Sequence, residues 1–258
     1  MRTDITIHPH ERVDDLHREG HHIIQDPKRF CFGVDAVILA GFAKVKKGEK
    51  VLDLGTGTGI IPILLAAKTN GQHFTGLEIQ PESAEMANRS VLMNELEEKV
   101  EIKEGDIKEA GAIFGAATFD VVTSNPPYMK CTSGKRNESD EKYIARHEVC
   151  GDITDFCACA ARLLKHGGKF VCVWRPDRLT DLLNAMHACR LEPKRMTFVY
   201  ADAESEPSGV LIEATKGAAP SLRVSKPLIL YEAYTEGEKV RRLTPRAQKI
   251  YDTCSFDD

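Results

Sequence analysis

No apolar run in this chain of 258 residues is long enough to cross a membrane. The longest, near Val34–Ala43, falls far short of the roughly 20 residues that a helix needs to span hydrocarbon. The first residues, Met1 to Thr6, lack the apolar core of a secretory signal. These absences predict a soluble, cytoplasmic protein. There is no excess of one charge: 35 Lys and Arg face 39 Asp and Glu, a net charge of −4. A uniformly basic coat for nucleic acid is therefore excluded, while a local basic patch stays open. None of the eight cysteines makes a C-x-x-C step, and Cys157 and Cys159 stand one residue too close. The cysteines read as reduced thiols, with no disulfide framework and no metal site. Internal repeats and low-complexity tracts are also lacking.

What is present is globular composition, 42% apolar and 29% charged. Residues 1–27 are polar and punctuated, and read as an N-terminal extension that caps something else. A short helix carrying Val37, Ile38 and Phe42 follows, with Asp35 as its expected cap. From Glu49 the pattern becomes strand, turn, helix. Strands are predicted at Lys50–Leu54, Phe74–Ile79, Val100–Lys103, Phe119–Thr123 and Lys169–Trp174. Helices are predicted at Ile60–Lys68, from Pro81 to about Asn94, at Ile153–Leu164 and at Leu179–Cys189. Two late strands, Arg195–Tyr200 and Val210–Thr215, have no helix between them and suit a hairpin. Short apolar strands alternating with helices imply an α/β fold, a mostly parallel sheet covered on both faces. The long polar stretch Met129–Ala145 is the one extended loop.

Gly55, Gly57 and Gly59 sit two apart between the first of these strands and its helix. Glycine there turns the backbone tightly and admits a ligand close to it. Glu78 ends the next strand, 25 residues after Asp53, where a carboxylate can accept both hydroxyls of a ribose. A nucleoside-containing ligand follows. The spacing G-x-G-x-G departs from the dinucleotide pattern G-x-G-x-x-G. Asp53, two residues before the first glycine, suits a cationic amino-acid end better than a diphosphate. A nicotinamide oxidoreductase is disfavoured on both counts. The segment resembles the first motif of the class I methyltransferases. That resemblance implies a Rossmann-like, mostly parallel seven-stranded sheet with an antiparallel last strand, S-adenosylmethionine as cofactor, Glu78 on its ribose and Asp106 on its adenine amine. Read alone, Asp106 is a helix N-cap.

The fourth strand runs into Ser124-Asn125-Pro126-Pro127-Tyr128. Two prolines cannot continue a central strand, so the chain leaves the sheet at its carboxyl edge, where open α/β sheets bind ligands. The Asn-Pro-Pro-Tyr sequence is similar to the signature of methyltransferases that alkylate a planar amine or amide nitrogen. The chemistry accounts for the residues. An exocyclic amine is a weak nucleophile because its lone pair is delocalised. The Asn125 side-chain oxygen and the Pro126 carbonyl can accept its two N–H bonds and point the lone pair at the methyl donor. Tyr128 can stack on the planar group.

The flanks narrow the resemblance. Phe30, Phe32-Gly33, Asp35-Ala36-Val37 and Leu39 precede the glycine turn. Ala145-Arg146-His147-Glu148 follows the polar loop, and Leu228, Tyr231 and Tyr234 lie near the end. Together, from about Gln25 to Tyr251, they resemble the bacterial tRNA1(Val) (adenine-37-N6)-methyltransferase family. The resemblance implies methylation of an anticodon-loop adenine and places the Phe32–Asp35 turn near the methionine end of the cofactor. It makes residues 28–217 the S-adenosylmethionine-dependent methyltransferase domain, with 218–258 a basic tail packed on it. Between Lys216 and Tyr251 eight basic residues face three acidic ones. Lys239, Arg241 and Arg242 are thus expected on tRNA, with Lys135 and Arg136 of the polar loop. Thr244 and Pro245 are expected to start a last helix. Two alternatives stay open at this point, a protein glutamine-N5 methyltransferase and a non-catalytic RNA-binding module.

Overall fold

A computed structural model describes residues 2, 4–18, 20–29, 31–126, 151–233 and 241–256. In chain order the elements are β1 (Arg12–Arg18), β2 (His21–Gln25), α1 (Val34–Phe42), β3 (Lys50–Leu54), α2 (Ile60–Lys68), β4 (His73–Glu78), α3 (Pro81–Met93), β5 (Val100–Glu104), α4 (Ala110–Phe114) and β6 (Phe119–Ser124). After residues 127–150 come α5 (Ile153–Leu163), β7 (Leu164–Trp174), α6 (Leu179–Ala188), β8 (Leu191–Tyr200), β9 (Pro207–Lys216), β10 (Arg223–Val224), β11 (Leu228–Ile229) and α7 (Pro245–Thr253).

Seven strands form the body of one sheet in the order β8-β9-β7-β6-β3-β4-β5. All run parallel except β9, which is antiparallel to both β7 and β8. The expected sheet and its antiparallel last strand are therefore present. Two additions extend it: β10 and β11 each pair parallel with β8, at different points along its edge. β7 begins five residues earlier than expected, directly after α5. Its register against β6 shifts between Leu164 and Lys169, and Gly167 (φ 76°) absorbs the irregularity.

Each strand is apolar on both faces because helices cover both. Ile38, Phe42, Ile63, Leu64, Val91 and Phe74 pack on one side. Leu52, Phe156, Leu163, Phe170, Trp174 and Met186 pack on the other. Helix α2 is buried all round, and its Pro62 is tolerated because a first-turn residue has no intrahelical N–H bond to lose. Helix α5 starts at a reciprocal capping box between Asp152 and Asp155. Helix α7 starts as expected, its cap Thr244 accepting the Ala247 N–H at 3.2 Å. Among the described residues no helix is long and apolar enough to cross a membrane.

One lysine marks the common direction of three helices. Lys68, at the end of α2, donates to the carbonyls of Ala40, Gly41 and Cys254. The C-termini of α1, α2 and α7 therefore meet at one end of the sheet, and their N-termini lie toward the other. That other end is the carboxyl edge of the parallel strands.

The N-terminal residues, expected to cap another part of the chain, form the hairpin β1–β2. It lies on α3: Ser90 Oγ accepts the Ile24 N–H at 3.0 Å, and Asn94 accepts the His22 N–H at 2.8 Å. Arg89 of α3 binds the carboxylate of Glu11 with both terminal nitrogens, at 2.6 and 2.7 Å. The Glu11 side chain is 2% exposed. The Arg89 hydrogen bonds hold its carboxyl down to about 2. Arg89→Ala would leave that carboxylate without its counter-charge, held only by the His8 N–H at 2.9 Å, a loss of about 3 kcal/mol at pH 7. A depressed acid stabilises the fold above its unfolded value of 4.5 and loses that contribution as pH falls toward 2. Thermal melts at pH 7, 4 and 3 should show the gap between variant and native protein closing with acid; a gap independent of pH would contradict the pairing.

Candidate active site

Strand register lines the site residues up along the carboxyl edge. Leu54 pairs with Ser124 on one side and with Leu77 on the other, and Glu78 pairs with Glu104. One residue further on, Gly55 therefore stands between Asn125 and Glu78, with Asp106 just past the end of β5. Adjacent strands are about 4.8 Å apart, so the row from Asn125 to β5 spans roughly 14 Å. Sequence reasoning placed these residues in one site, and the sheet brings them to one edge.

The glycine turn is stitched to β4. The Gly55 and Thr56 N–H groups donate to the Leu77 carbonyl, at 2.9 and 3.1 Å. Gly57 N–H donates to Glu78 Oε2 at 2.8 Å. Gln80 N–H donates to Glu78 Oε1 at 2.9 Å. Gly55, Gly57 and Gly59 all have positive φ, between 58° and 82°, which disfavours any side chain there. Their surroundings differ. A Cβ on Gly59 would press Ala87 of α3 at 3.2 Å, so that glycine lets two helices approach. A Cβ on Gly57 would meet nothing within 4 Å; this is the glycine with open space above it.

Two carboxylates lie under that space. Glu78 is 5% exposed, and burial raises its carboxyl against the pull of the Gln80 and Gly57 N–H groups. Asp53 is 1% exposed. Burial raises it to about 7, opposed by the Thr123 and Thr56 hydroxyls and reinforced by the nearby Glu78 charge. Its Oδ1 accepts the Thr123 hydroxyl at 2.7 Å. Its Oδ2 and the Thr56 hydroxyl are buried with no well-formed hydrogen bond among the described residues. The open glycine, the buried acid Glu78 at the edge and a second buried carboxyl fit a nucleoside that carries positive charge. They do not fit a diphosphate, which these acids would repel.

Asn125 is half-buried and Pro126 buried at the end of β6. Just before them, Ser124 Oγ donates to the Leu54 carbonyl at 2.8 Å. The hydroxyls of Thr123 and Ser124 thus fasten β6 to β3 immediately ahead of both motifs. These two were not picked out from the sequence, although a Thr-Ser pair ending a valine-rich strand is the signal. Pro127, Tyr128, Lys135, Arg136 and Lys239 lie outside the described residues.

Two capping assignments change. Asp35 is not the cap of α1: Gly33 holds that position, and Asp35 lies half-buried in the first turn, its carboxyl raised by burial. Asp106 does not cap α4, which starts at Ala110 after Glu109. It accepts the Lys108 N–H at 2.9 Å and so closes a local turn beside the end of β5. In both cases the helix begins at a different residue from the one the acid suggested. On the far side of the sheet, Arg241 pairs with Asp202 at 3.0 Å and lies over the Tyr231 ring at 6.0 Å.

Comparison with known proteins agrees with this geometry. Residues 45–215 match a family described as a methyltransferase domain. A crystal structure of a predicted O-methyltransferase from Agrobacterium tumefaciens superimposes with a TM-score of 0.68 at 22% identity, covering 86% of this chain and 98% of that one. The fold is that of a class I methyltransferase. The tRNA1(Val) (adenine(37)-N6)-methyltransferase of Phocaeicola vulgatus is 32% identical over 185 residues, 70% of this chain and 74% of that protein. The protein of the same name from Porphyromonas gingivalis is 30% identical over 187 residues, 70% and 72% of the two chains. This chain belongs to the tRNA1(Val) (adenine(37)-N6)-methyltransferase family.

The unpaired Oδ2 of Asp53 gives a test. Asp53→Asn keeps an oxygen for Thr123 and offers an N–H to Thr56, and it removes the cost of ionising a buried acid. An acid whose folded value is raised, here from 3.8 to about 7, costs the fold nothing at low pH and most above pH 7. The melting temperature of Asp53→Asn should therefore rise relative to native between pH 4 and pH 7 and level off above it. A difference that shrinks over that range would show Asp53 to be stabilised as the anion.

Proposed function

We propose that this protein transfers the methyl group of S-adenosylmethionine to the exocyclic N6 of an adenine in tRNA. The adenine named for its relatives, position 37 of tRNA1(Val), is the expected target. The observation that supports this most directly is the register that sets Asn125 beside the glycine turn, in a chain of this family. When bound, S-adenosylmethionine supplies an electrophilic methyl on a cationic sulfur. Gly57 leaves room for the nucleoside, Glu78 takes the ribose hydroxyls, and Asp106 takes the adenine amine. The Asp53 and Glu78 carboxylates make the pocket favourable for a cation, and Asp35 in the first turn of α1 adds a third acid on the methionine side.

Asn125 and Pro126 act on the other substrate. The carboxamide oxygen and the proline carbonyl accept the two N–H bonds of the target amine. That draws its electrons out of conjugation and aims the lone pair at the methyl. As the new N–C bond forms, positive charge grows on nitrogen, and both acceptors stabilise it more strongly than they did the neutral amine. The proton leaves afterwards, so no strong base is needed. Tyr128 is proposed to stack on the base, and Pro127 belongs to the same motif. An adenine reaches this edge only when unpaired or turned out of its stack, as in a loop.

Asn125→Ala should lower turnover by at least a hundredfold while the dissociation constant for S-adenosylmethionine stays within about threefold. Methyl transfer from labelled cofactor to tRNA and calorimetry on the same preparations check this, and a near-native rate would remove Asn125 from the role. Arg241 and Arg242 are exposed and are proposed to contact RNA phosphates together with Lys239, Lys135 and Arg136. Changing both arginines to Glu should weaken tRNA binding and reduce the salt dependence of log K by about 2. An unchanged slope would place this surface outside the interface.

A further inference from the structure

The segment between β2 and α1 crosses the carboxyl edge. It leaves the hairpin that lies on α3 and ends at the N-terminus of α1, which lies at the same end of the sheet as the start of α2. The strap, described at residues 26–29 and 31–33, therefore passes by the N-terminus of α2, where the glycine turn is. Among the contacts that hold it, three bear on its path. Asp26 accepts the Lys28 N–H at 2.9 Å and closes a turn. Arg29 reaches Glu82, in the first turn of α3, at 3.6 Å. The third contact is Gln25, the last residue of β2. Its side chain is almost wholly buried, 1% exposed. Its oxygen accepts the Phe32 N–H at 2.9 Å, and its nitrogen donates to Asp14 on β1.

A buried carboxamide satisfied on both sides, with one bond to the hairpin and one to the far end of a seven-residue span, sets where that end lies. Residues 26–31 carry Pro27 and several polar side chains, and their composition does not dictate one path. The bond to Phe32 does. Phe32 then packs against the core and sets Gly33 as the cap of α1 and Asp35 in its first turn. We infer that Gln25 is a positioning residue for the cofactor site: it fixes the strap so that the Phe32–Asp35 turn closes over the methionine-bearing end of S-adenosylmethionine. This rests on the function proposed above and adds a residue to it, one that touches neither substrate. The amide is suited to the task because it offers an acceptor and a donor at once. An isosteric apolar side chain fills the space and offers neither.

The test compares Gln25→Met and Asp14→Ala with native full-length protein. Calorimetry with S-adenosylmethionine should show affinity falling about tenfold in Gln25→Met. In Asp14→Ala, which frees the nitrogen of Gln25 and the Arg12 guanidinium but keeps the bond to Phe32, it should fall two- to threefold. At saturating cofactor kcat should stay within twofold of native, so that the loss appears in KM. Hydrogen exchange at the Phe32 amide of ligand-free protein should speed up at least tenfold in Gln25→Met. Native-like affinity in Gln25→Met, or a fall in kcat with KM unchanged, would overturn the inference and leave the function standing. If Gln25→Met does not fold, native affinity in Asp14→Ala would overturn it. A native protein that takes up no S-adenosylmethionine would sink the function and this inference together.

Discussion

The site depends on the pairing of β3 with β6. These strands are far apart in the chain, yet their carboxyl ends carry the two motifs that must meet, the glycine turn and Asn125-Pro126. The ladder sets Leu54 opposite Ser124. Two side-chain bonds reinforce it: Thr123 to Asp53, and Ser124 to the Leu54 carbonyl. A slip of one residue would turn every side chain of β6 to the opposite face. It would also separate the Thr123 hydroxyl from Asp53 and move Asn125 away from Gly55. The buried hydroxyls thus make register errors costly at the point where the two motifs meet. Loops hold the chemistry, and a rigid sheet sets their spacing.

The two helix layers divide the work. On one face α1, α2 and α3 present their N-termini toward the edge that carries the glycine turn, and Lys68 gathers the C-termini of α1, α2 and α7 at the opposite end. The hairpin β1–β2 is bolted to α3 through Arg89 and Glu11, so the polar N-terminal residues become part of this layer. At the other edge, a buried pair between Arg195 and Glu213 (3.1 Å) ties β8 to β9. The Arg195 guanidinium stacks on Phe42 of α1 at 3.8 Å. This connection joins the antiparallel end of the sheet to the same helix that carries Asp35.

Much of this was legible in the sequence, for identifiable reasons. Helix α2 was bounded correctly because the glycine turn fixes its start and apolar residues run to Lys68. The β8–β9 hairpin followed from two apolar runs with no helical period between them. The row of Asn125, Gly55, Glu78 and Asp106 followed from strand ends, which are the strongest local signal in an α/β chain. The two strands of the N-terminal hairpin were not legible: β1 carries Asp14, Asp15 and His17, and its partner surface is a helix distant in sequence. Strands β10 and β11 are two residues long and exist only because β8 offers an open edge. The caps at Asp35 and Asp106 were misread because a carboxylate near a helix start does not reveal which residue the helix begins with. Gln25 gave no signal, since the worth of an amide lies in partners eleven residues before it and seven after.

Glu78 already has both oxygens engaged by backbone N–H groups before any ligand arrives. On the function proposed, an incoming ribose would displace the Gly57 bond or share it, so recognition would be an exchange of partners rather than the filling of an idle group. A sugar bearing a phosphate on its 2′ oxygen would bring negative charge against a buried acid, with Asp53 behind it and no arginine or lysine in the turn to offset the repulsion. On the function proposed, the pocket would admit bare hydroxyls and turn esterified ones away, by a carboxylate that also holds a loop in shape.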